Sequence, residues 1–412
     1  MFFKWIMENG KLFSIFHFQF SISCYNFCMR NIFVKKVSEE NIITELENID
    51  FDRSYINTAQ GKYQFRLYKI FNLRSSEASI LKQLALSVGT DCAVNRNVIT
   101  GKAERSDCVL GGSVRQMELI ITKLRLQPFK LPKVADLLES QLKTTLTPLK
   151  IRNKTFDWAN EKYIMGILNL TPDSFSDGGK YIEPENALKH AQELIEAGAD
   201  ILDIGAESTR PSFSSIAAEE EQQRLLPVLK KIRQADKNVI ISIDTRNAST
   251  AAMAVDAGAD IINDVSTGMH DGKMFETVAK MNVSYILTHA ADIYECGNVV
   301  EEIYTGLLQN IENLTAAGVK RENIIADVGI GFGKTVEHNW ELLKKIEEFT
   351  SLQVPLLVGH SRKSFLSAIA GDALDDATAL ISLYLSSKST NIVRVHDVKK
   401  TKLALEIYKK LD

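Results

Sequence analysis

The chain has 412 residues, enough for one large domain with an extension or for two domains. Hydrophobic residues make up 45% and charged residues 25% of it, which is typical of a globular protein and argues against a disordered or fibrous chain. The formal net charge of -3 gives no electrostatic support for nucleic acid or an acidic membrane surface as a partner.

An aromatic and apolar stretch, LFSIFHFQFSISCYNFC, lies near the start of the chain between basic residues, and Glu8 is the only acid in residues 1–36. This composition fits a targeting segment. It also fits a disordered or wrongly assigned start upstream of the folded part, which we favour. Polar residues such as His17 and Gln19 interrupt the stretch and argue against a membrane span. We assign residues 1–59 to this uncertain leader.

The five cysteines show no zinc-finger or redox spacing. We interpret them as free thiols in a reducing compartment, and we expect a cytoplasmic protein that binds neither nucleic acid nor membrane.

Residues 60–150 predict a small α/β module. The stretch SSEASILKQLALSVGTDCAVNRNVI indicates a helix and then a strand, and CVLGGSVRQMELIITKLRLQPF indicates a strand, a glycine turn and a helix. Pro132 and the threonine-rich KTTLTP mark a boundary with the next region. The module has no evident catalytic cluster, so we interpret it as a packing or assembly element.

Residues 160–412 alternate between short apolar runs and amphipathic segments. The runs are YIMGILNL, DILDIGA, VIISIDT, DIINDVS, VSYILTH, NIIADVG, PLLVGH and NIVRVH. They have the β-branched, non-alternating character of strands buried on both faces. Helical segments such as PENALKHAQELIEAGA separate them, and Gly198, Gly258 and Gly318 are helix-stop signals. Eight such units over about 250 residues predict a (β/α)8 TIM barrel, with a doubly wound open sheet as the alternative.

Polar side chains stand at or near the carboxyl end of each predicted strand. They are Asn169, Asp203, Thr209, Arg210, Asp244, Thr245, Asn263, Asp264, His289, Asp327, Arg362, Lys363, Ser364, Arg394 and His396. Any one of them has a structural explanation, because Asn and Asp often cap the next helix, and Asp203, within its strand, fits a partner for a buried donor. Together they predict a polar mouth, at the end of the barrel where active sites form.

The chemistry of these groups indicates a ligand class. Asp244, Asn263, Asp327 and Lys363 offer donors and acceptors that suit a planar heterocycle with amide and amino edges. The cationic donors Arg210, Arg394 and His396 suit phosphate or pyrophosphate. Asn169 offers a neutral oxygen for a hard metal such as Mg²⁺. The segment GIGFGK lacks the full spacing of a phosphate loop, and its glycines also suit a tight turn.

Several motifs of this region resemble dihydropteroate synthases in order and spacing. They are MGILNLTPDSFSDGGKY, GADILDIGAESTRP, SIDT, GADIINDVS, GFGK, SRKS and RVHDV. The resemblance covers the chain from about Tyr163 to its end, and residues 64–132 resemble an amino-terminal extension of some longer members. Three departures, at Val328, around His289 and at Ser212, remove no principal ligand.

The resemblance implies a TIM-barrel transferase of folate biosynthesis, the class of enzyme that sulfonamides inhibit. Such an enzyme condenses 6-hydroxymethyl-7,8-dihydropterin pyrophosphate with p-aminobenzoate, giving 7,8-dihydropteroate and pyrophosphate. By likeness, Asp244, Asn263, Asp327 and Lys363 hold the pterin, and we place catalysis on Asp244, Asp327 and Lys363. The resemblance also implies a homodimer formed through barrel helices.

The resemblance assigns the remaining site residues as well. Asn169, Arg394 and His396 hold the pyrophosphate with Mg²⁺, for which Asn169 is the metal ligand. Arg362 belongs to the substrate-binding SRKS segment. Phe175, Phe332 and Ser364 frame p-aminobenzoate, and Thr209 and Arg210 lie on a second mobile loop.

Two alternatives stay open. A methyltetrahydrofolate–corrinoid methyltransferase shares the Asp and Asn strand ends but does not need the pyrophosphate set or the SRKS segment. A non-catalytic pterin-binding or assembly protein would use the amino-terminal module for its partners. Function is argued from the site and not from the fold, and the intact motifs favour the synthase.

Overall fold

The structure is a computed structural model that describes residues 32, 34–143, 145–170, 184–207, 216–293 and 297–411. The chain divides into two compact units, Met1–Lys143 and Thr144–Asp412. The division falls in the threonine-rich stretch 143–148, whereas Pro132 lies in the first turn of a helix of the first unit.

The first unit contains a three-stranded antiparallel sheet with strand order β1-β3-β2. Its elements are α1 (Ile42–Asn48), α2 (Ile56–Ala59), β1 (Phe65–Arg74), α3 (Ser75–Ser87), β2 (Asp91–Val94), β3 (Arg105–Ser113), α4 (Val114–Leu124) and α5 (Leu131–Leu142). The helix and strand of the first quoted stretch are confirmed. The core of this unit includes Leu81 of α3, Leu110 of β3 and Ile120 of α4, all fully buried.

The predicted glycine turn between β3 and α4 is wrong. Gly111 and Gly112 lie inside β3, where Gly111 pairs with Leu67 of β1. A β-carbon on Gly111 would stand 3.1 Å from side-chain atoms of both Phe65 and Leu67, so this glycine serves a close approach across the sheet. The chain enters α4 directly, because Ser113 caps the helix in a reciprocal capping box with its third residue.

The second unit is a closed barrel of eight parallel strands with helices between them, so the barrel prediction is confirmed and the open-sheet alternative is wrong. Its elements are β4 (Leu149–Ile151), β5 (Lys154–Phe156), β6 (Tyr163–Asn169), α6 (Pro184–Glu196), β7 (Ile201–Gly205), α7 (Ala218–Ala235), β8 (Ile240–Asp244), α8 (Ala248–Asp256), β9 (Ile261–Asp264), α9 (Met274–Met281), β10 (Ser284–Thr288), α10 (Val299–Ala316), β11 (Ile324–Asp327), α11 (Val336–Lys344), β12 (Leu356–Val358), α12 (Ser364–Ala370), α13 (Leu374–Ser386), β13 (Ile392–Val395) and α14 (Val398–Leu411). Each of the eight apolar runs forms one barrel strand, and β13 closes on β6.

A short hairpin made of β4 and β5 packs against one end of the barrel interior. Phe156 and the following Trp158 stack with ring centroids 5.1 Å apart, and Tyr163 packs edge-on against both rings. These aromatics form one buried cluster with the first inward side chains of the strands, such as Ile201 and Ile240. The barrel interior is therefore apolar and filled at this end.

The period of two along each strand explains why the opposite end is polar. Side chains two residues apart point to the same face of a strand. Ile201 is therefore followed inward by Asp203, Ile240 by Ser242 and Asp244, and Ile261 by Asn263. The same alternation places Asp327 above Ile325, and Arg394 and His396 above Ile392.

Within the described residues, no helix is long and apolar enough to cross a membrane.

Candidate active site

Arg394 of β13 lies at the centre of the polar mouth, and its side chain bonds to acids on β7 and β8. Its Nε donates to Asp203 Oδ2 at 2.6 Å, and its Nη2 donates to Asp244 Oδ2 at 2.8 Å. Asp203 Oδ2 also accepts from Asn263 Nδ2 at 3.1 Å. Strands β13, β7, β8 and β9 thus meet in one hydrogen-bonded network. Asp203 is the structural partner that its place within the strand indicated.

Two buried acceptor atoms of this network have no partner within the described part of the chain. They are Asp203 Oδ1 and Asn263 Oδ1. Buried polar atoms are normally hydrogen-bonded, so atoms without a partner in a concave site are open to a ligand. Both atoms are acceptors in the roles seen here, and they favour a ligand that presents N–H donors.

Asp244 and Asp327 are acids whose pKa is raised. Burial raises the pKa of Asp244 to about 7, Arg394 opposes that shift, and Asp203 adds to it. Burial also raises the pKa of Asp327, which the Gly329 N–H, Lys363 and Arg394 oppose. The Gly329 N–H donates to Asp327 Oδ1 at 2.8 Å and fixes the carboxyl group at the strand end.

Lys363 lies over an aromatic ring beside these acids. Its Nζ is 4.1 Å from the centroid of the Phe332 ring, which is within cation–π range. Burial and, next, Arg394 lower the pKa of Lys363 to about 8, while Asp327 and Asp244 oppose that shift. The structure therefore brings together Asp244, Asp327, Lys363 and Phe332, which the resemblance assigns to the substrate site.

His396 and the SRKS segment line one side of the mouth, where the sequence predicted His396 as a cationic donor. Ser361 Oγ lies 3.0 Å from His396 Nδ1. Burial and then Arg362 and Arg394 lower the pKa of His396 to about 3, so its ring is neutral. Arg362 makes a two-pronged ion pair with Asp375 at the start of α13, with nitrogen–oxygen distances of 2.7 and 2.8 Å. Arg362 is thus committed to a protein carboxylate, and Ser364 is the exposed first residue of α12.

Lys334 is a site residue that sequence reasoning missed. Its Nζ donates to the backbone oxygens of His289 at 3.0 Å and Phe332 at 2.8 Å, inside the turn formed by GIGFGK. Gly329, Gly331 and Gly333 all have positive φ there. The segment is thus a tight turn around a lysine. In the sequence, the lysine that ends GFGK was the signal that could have identified this residue.

Asn169 stands at the carboxyl end of β6, next to Gly205 of β7. A β-carbon on Gly205 would lie 3.8 Å from Asn169 Oδ1. The described residues hold no group of three His, Cys, Asp or Glu side chains that could bind a metal by themselves. One neutral amide oxygen suits Mg²⁺ when most of the other ligands come from substrate phosphates and water. Phe175, Thr209 and Arg210 lie outside the described residues.

Comparisons with known proteins identify the family of the chain. The family described as "Pterin binding enzyme" matches residues 165–396. A dihydropteroate synthase of Clostridium beijerinckii is 42% identical over 254 residues, covering 61% of this chain and 94% of the relative. A solved structure of the Xanthomonas albilineans dihydropteroate synthase in complex with 7,8-dihydropteroate superposes with a TM-score of 0.59 at 32% identity. The superposition covers 64% of this chain and 98% of the Xanthomonas albilineans chain.

A longer relative also matches the first unit. A probable bifunctional folylpolyglutamate synthase/dihydropteroate synthase of Haloferax volcanii is 36% identical over 352 residues, which is 80% of this chain and more than the barrel unit supplies. The chain spans 41% of the length of that relative. The likeness to longer members is therefore confirmed. From the barrel, its polar mouth and these matches, we conclude that the chain belongs to the dihydropteroate synthase family of pterin-binding enzymes.

Proposed function

We propose that the chain is a dihydropteroate synthase, which joins 6-hydroxymethyl-7,8-dihydropterin pyrophosphate to p-aminobenzoate with release of pyrophosphate. One observation carries the proposal. Inward side chains of four strands place buried acids and acceptors around Arg394 of a fifth strand, and Lys363 adds a second cationic group beside them. A fused heterocycle with N–H edges and a charged leaving group requires both kinds of group in one cavity.

The pterin ring is bound by the deep acceptors. Asp327 and Asp244 accept from the amino and ring N–H groups, and the free Asn263 Oδ1 adds an acceptor. Lys363 donates to the ring carbonyl or nitrogen from its place over Phe332. Because these groups are buried, each charge-assisted bond is stronger than it would be in water.

The pyrophosphate is bound at the rim by His396, Lys363 and the outer face of Arg394. Asn169 would hold Mg²⁺ together with phosphate oxygens. When bound, the ion neutralises leaving-group charge. This chain's own cations act in the same direction, because they stabilise negative charge that grows as the carbon–oxygen bond breaks.

The departing pyrophosphate takes the electron pair of the C–O bond and leaves a cation at the pterin methylene, conjugated with the ring. Asp244 and Asp327 are the carboxylates nearest the ring and stabilise that cation in their ionised form. The amine of p-aminobenzoate, held against Phe332 and Lys363, then attacks the methylene with its lone pair, and the resulting ammonium gives one proton to water. An arylamine is weakly basic, so its lone pair is free to attack and no strong general base is needed.

A homodimer and a cytoplasmic location belong to the same proposal. Helices α13 and α14 carry exposed apolar side chains at helical spacing, Leu380 and Tyr384 on one and Leu403 and Ile407 on the other. Neighbouring exposed apolar rows on a barrel surface favour burial against a second copy. The described free cysteines, Cys92 and Cys108, suit a reducing compartment.

Calorimetric titration with the pterin pyrophosphate in the presence of Mg²⁺ tests the assigned site. We expect saturable binding that Lys363→Met weakens by about 10-fold or more, since a bond to a charged group contributes about 1.5–3 kcal/mol. The matched control is Lys388→Met, because Lys388 pairs with Glu347 on the surface. Absence of binding to the unmodified protein, or equal affinities for the two variants, contradicts the proposal.

A further inference from the structure

Ser361 and His396 are joined by two hydrogen bonds that meet at one hydroxyl oxygen. The backbone N–H of His396 donates to Ser361 Oγ at 3.2 Å. The same Oγ lies 3.0 Å from the ring atom Nδ1 of His396. Ser361 is buried in the turn that follows β12. It therefore contacts His396 both at the backbone N–H and at the ring.

The proton count at this oxygen selects one tautomer. A backbone N–H only donates, so Ser361 Oγ accepts there and keeps its own proton to give. Within the described part of the chain, His396 Nδ1 is the acceptor within reach of that hydroxyl. A buried hydroxyl normally uses its proton in a hydrogen bond. Nδ1 is then unprotonated, and a neutral imidazole carries its proton on Nε2.

The surroundings keep this ring neutral. Burial and the cations Arg362, Arg394 and Lys363 all lower the pKa of His396, to about 3. Asp375 opposes them, but both of its oxygens accept from Arg362, at 2.7 and 2.8 Å. The His396 ring is therefore neutral beside these cations.

We propose that Ser361 is a positioning residue that fixes neutral His396 as the Nε2–H tautomer, so that Nε2 donates a hydrogen bond to an oxygen of the leaving pyrophosphate. The identity of the acceptor, a pyrophosphate oxygen, rests on the proposed function. The tautomer itself rests only on the two bonds at Ser361. No hydrogen bond of Nε2 is seen within the described residues, which leaves that atom available to the ligand.

The tautomer is measured directly by long-range ¹H–¹⁵N correlation on the full chain labelled with ¹⁵N-histidine. The chain has seven histidines, and the His396 signal is assigned as the one lost in His396→Gln. We expect the pattern of a protonated Nε2 and a bare Nδ1. Ser361→Ala should mix the tautomers and lower kcat/KM for the pterin pyrophosphate about 10-fold, with little change in KM for p-aminobenzoate. Ser361→Thr, which keeps the hydroxyl, should restore both readouts.

A protonated Nδ1 in the unmodified protein overturns the inference, and so does an unchanged His396 pattern in Ser361→Ala. The other six histidine signals report whether the variants are folded, and the measurement on the unmodified protein needs no variant other than the assignment one. If the tautomer is as expected but the protein has no synthase activity, the proposed function fails while the role of Ser361 in fixing the tautomer stands.

Discussion

Arg394 is the residue on which the polar mouth depends, because it compensates two buried carboxylates at once. Asp203 is fully buried, and Asp244 nearly so. Removing one partner of such an arrangement leaves an uncompensated buried charge, which is strongly destabilising.

We expect Arg394→Met to lower the free energy of unfolding by about 3–5 kcal/mol, as measured by urea denaturation. Arg362→Met is the matched control, because Arg362 pairs with Asp375 from a half-exposed position and should cost less than about 1 kcal/mol. Adding Asp203→Asn and Asp244→Asn to Arg394→Met should recover part of the loss. Similar losses for Arg394→Met and Arg362→Met would contradict this account.

The charge of Lys363 predicts a pH dependence. Its pKa is lowered to about 8, so the free enzyme holds the cation below that pH and loses it above. Because kcat/KM reports the ionisations of the free enzyme and substrate, it should fall as the pH rises through about 8. Arginine keeps its charge, so Lys363→Arg should shift this alkaline limb upward even if its rate is lower. If the alkaline limb of kcat/KM stays near pH 8 in Lys363→Arg, the ionisation belongs to a group other than Lys363.

Single residues were predictable from the sequence when they stood at strand ends. Asp244, Asn263, Asp327, Arg394 and His396 were found in this way, because the chain alone shows where an apolar run stops. The partners of these residues were not predictable. The pairing of Arg394 with Asp203 spans 191 positions, and only barrel closure between β13 and β6 brings the two together.

At the scale of elements, the GIGFGK turn between β11 and α11 places Phe332 and Lys334. Gly329 has φ of +68°, and a β-carbon there would stand 1.9 Å from the backbone oxygen of His289. No side chain fits without moving the strand end of β10 or the turn itself.

Gly329→Ala should therefore lower the free energy of unfolding by more than about 2 kcal/mol, since left-handed backbone alone costs about 1–2 kcal/mol for a non-glycine residue. It should also reduce turnover, because Asp327 loses the aligned N–H of residue 329. Gly272→Ala is the control, as a β-carbon there meets nothing within 4 Å, and we expect a change within about 0.5 kcal/mol. A tolerated Gly329→Ala, judged by thermal unfolding and kcat, would refute the assigned packing.

The elements with strong apolar runs were predictable, and several others were passed over, among them a short hairpin and strand β1. The hairpin of β4 and β5 has strands of three residues each, too short for a periodic signal. Strand β1 carries apolar residues on its exposed face as well, including Phe65, Leu67 and Phe71, so alternation did not single it out. The glycines of β3 suggested a turn because their close approach to β1 is a tertiary contact.

At the scale of the whole molecule, the proposed homodimer is expected to form through the exposed apolar rows on α13 and α14. The relative exposures of Leu380 and Leu403 are 69% and 59%. Replacing both with Glu should convert a dimer into a monomer in sedimentation velocity, because buried unpaired carboxylates oppose association. Leu126→Glu in the first unit, where Leu126 is 82% exposed, should leave the sedimentation coefficient unchanged. A dimer that survives both Glu substitutions would place the interface elsewhere.

The most direct test of the central claim is a coupled turnover assay on the full chain. Purified protein receives 6-hydroxymethyl-7,8-dihydropterin pyrophosphate, p-aminobenzoate and Mg²⁺, and both pyrophosphate and 7,8-dihydropteroate are quantified. We predict equal amounts of the two products, and loss of both in Lys363→Ala. Binding of the pterin without either product would contradict the synthase assignment and favour a non-catalytic pterin-binding protein, and near-normal turnover by Lys363→Ala would refute the role given to that lysine.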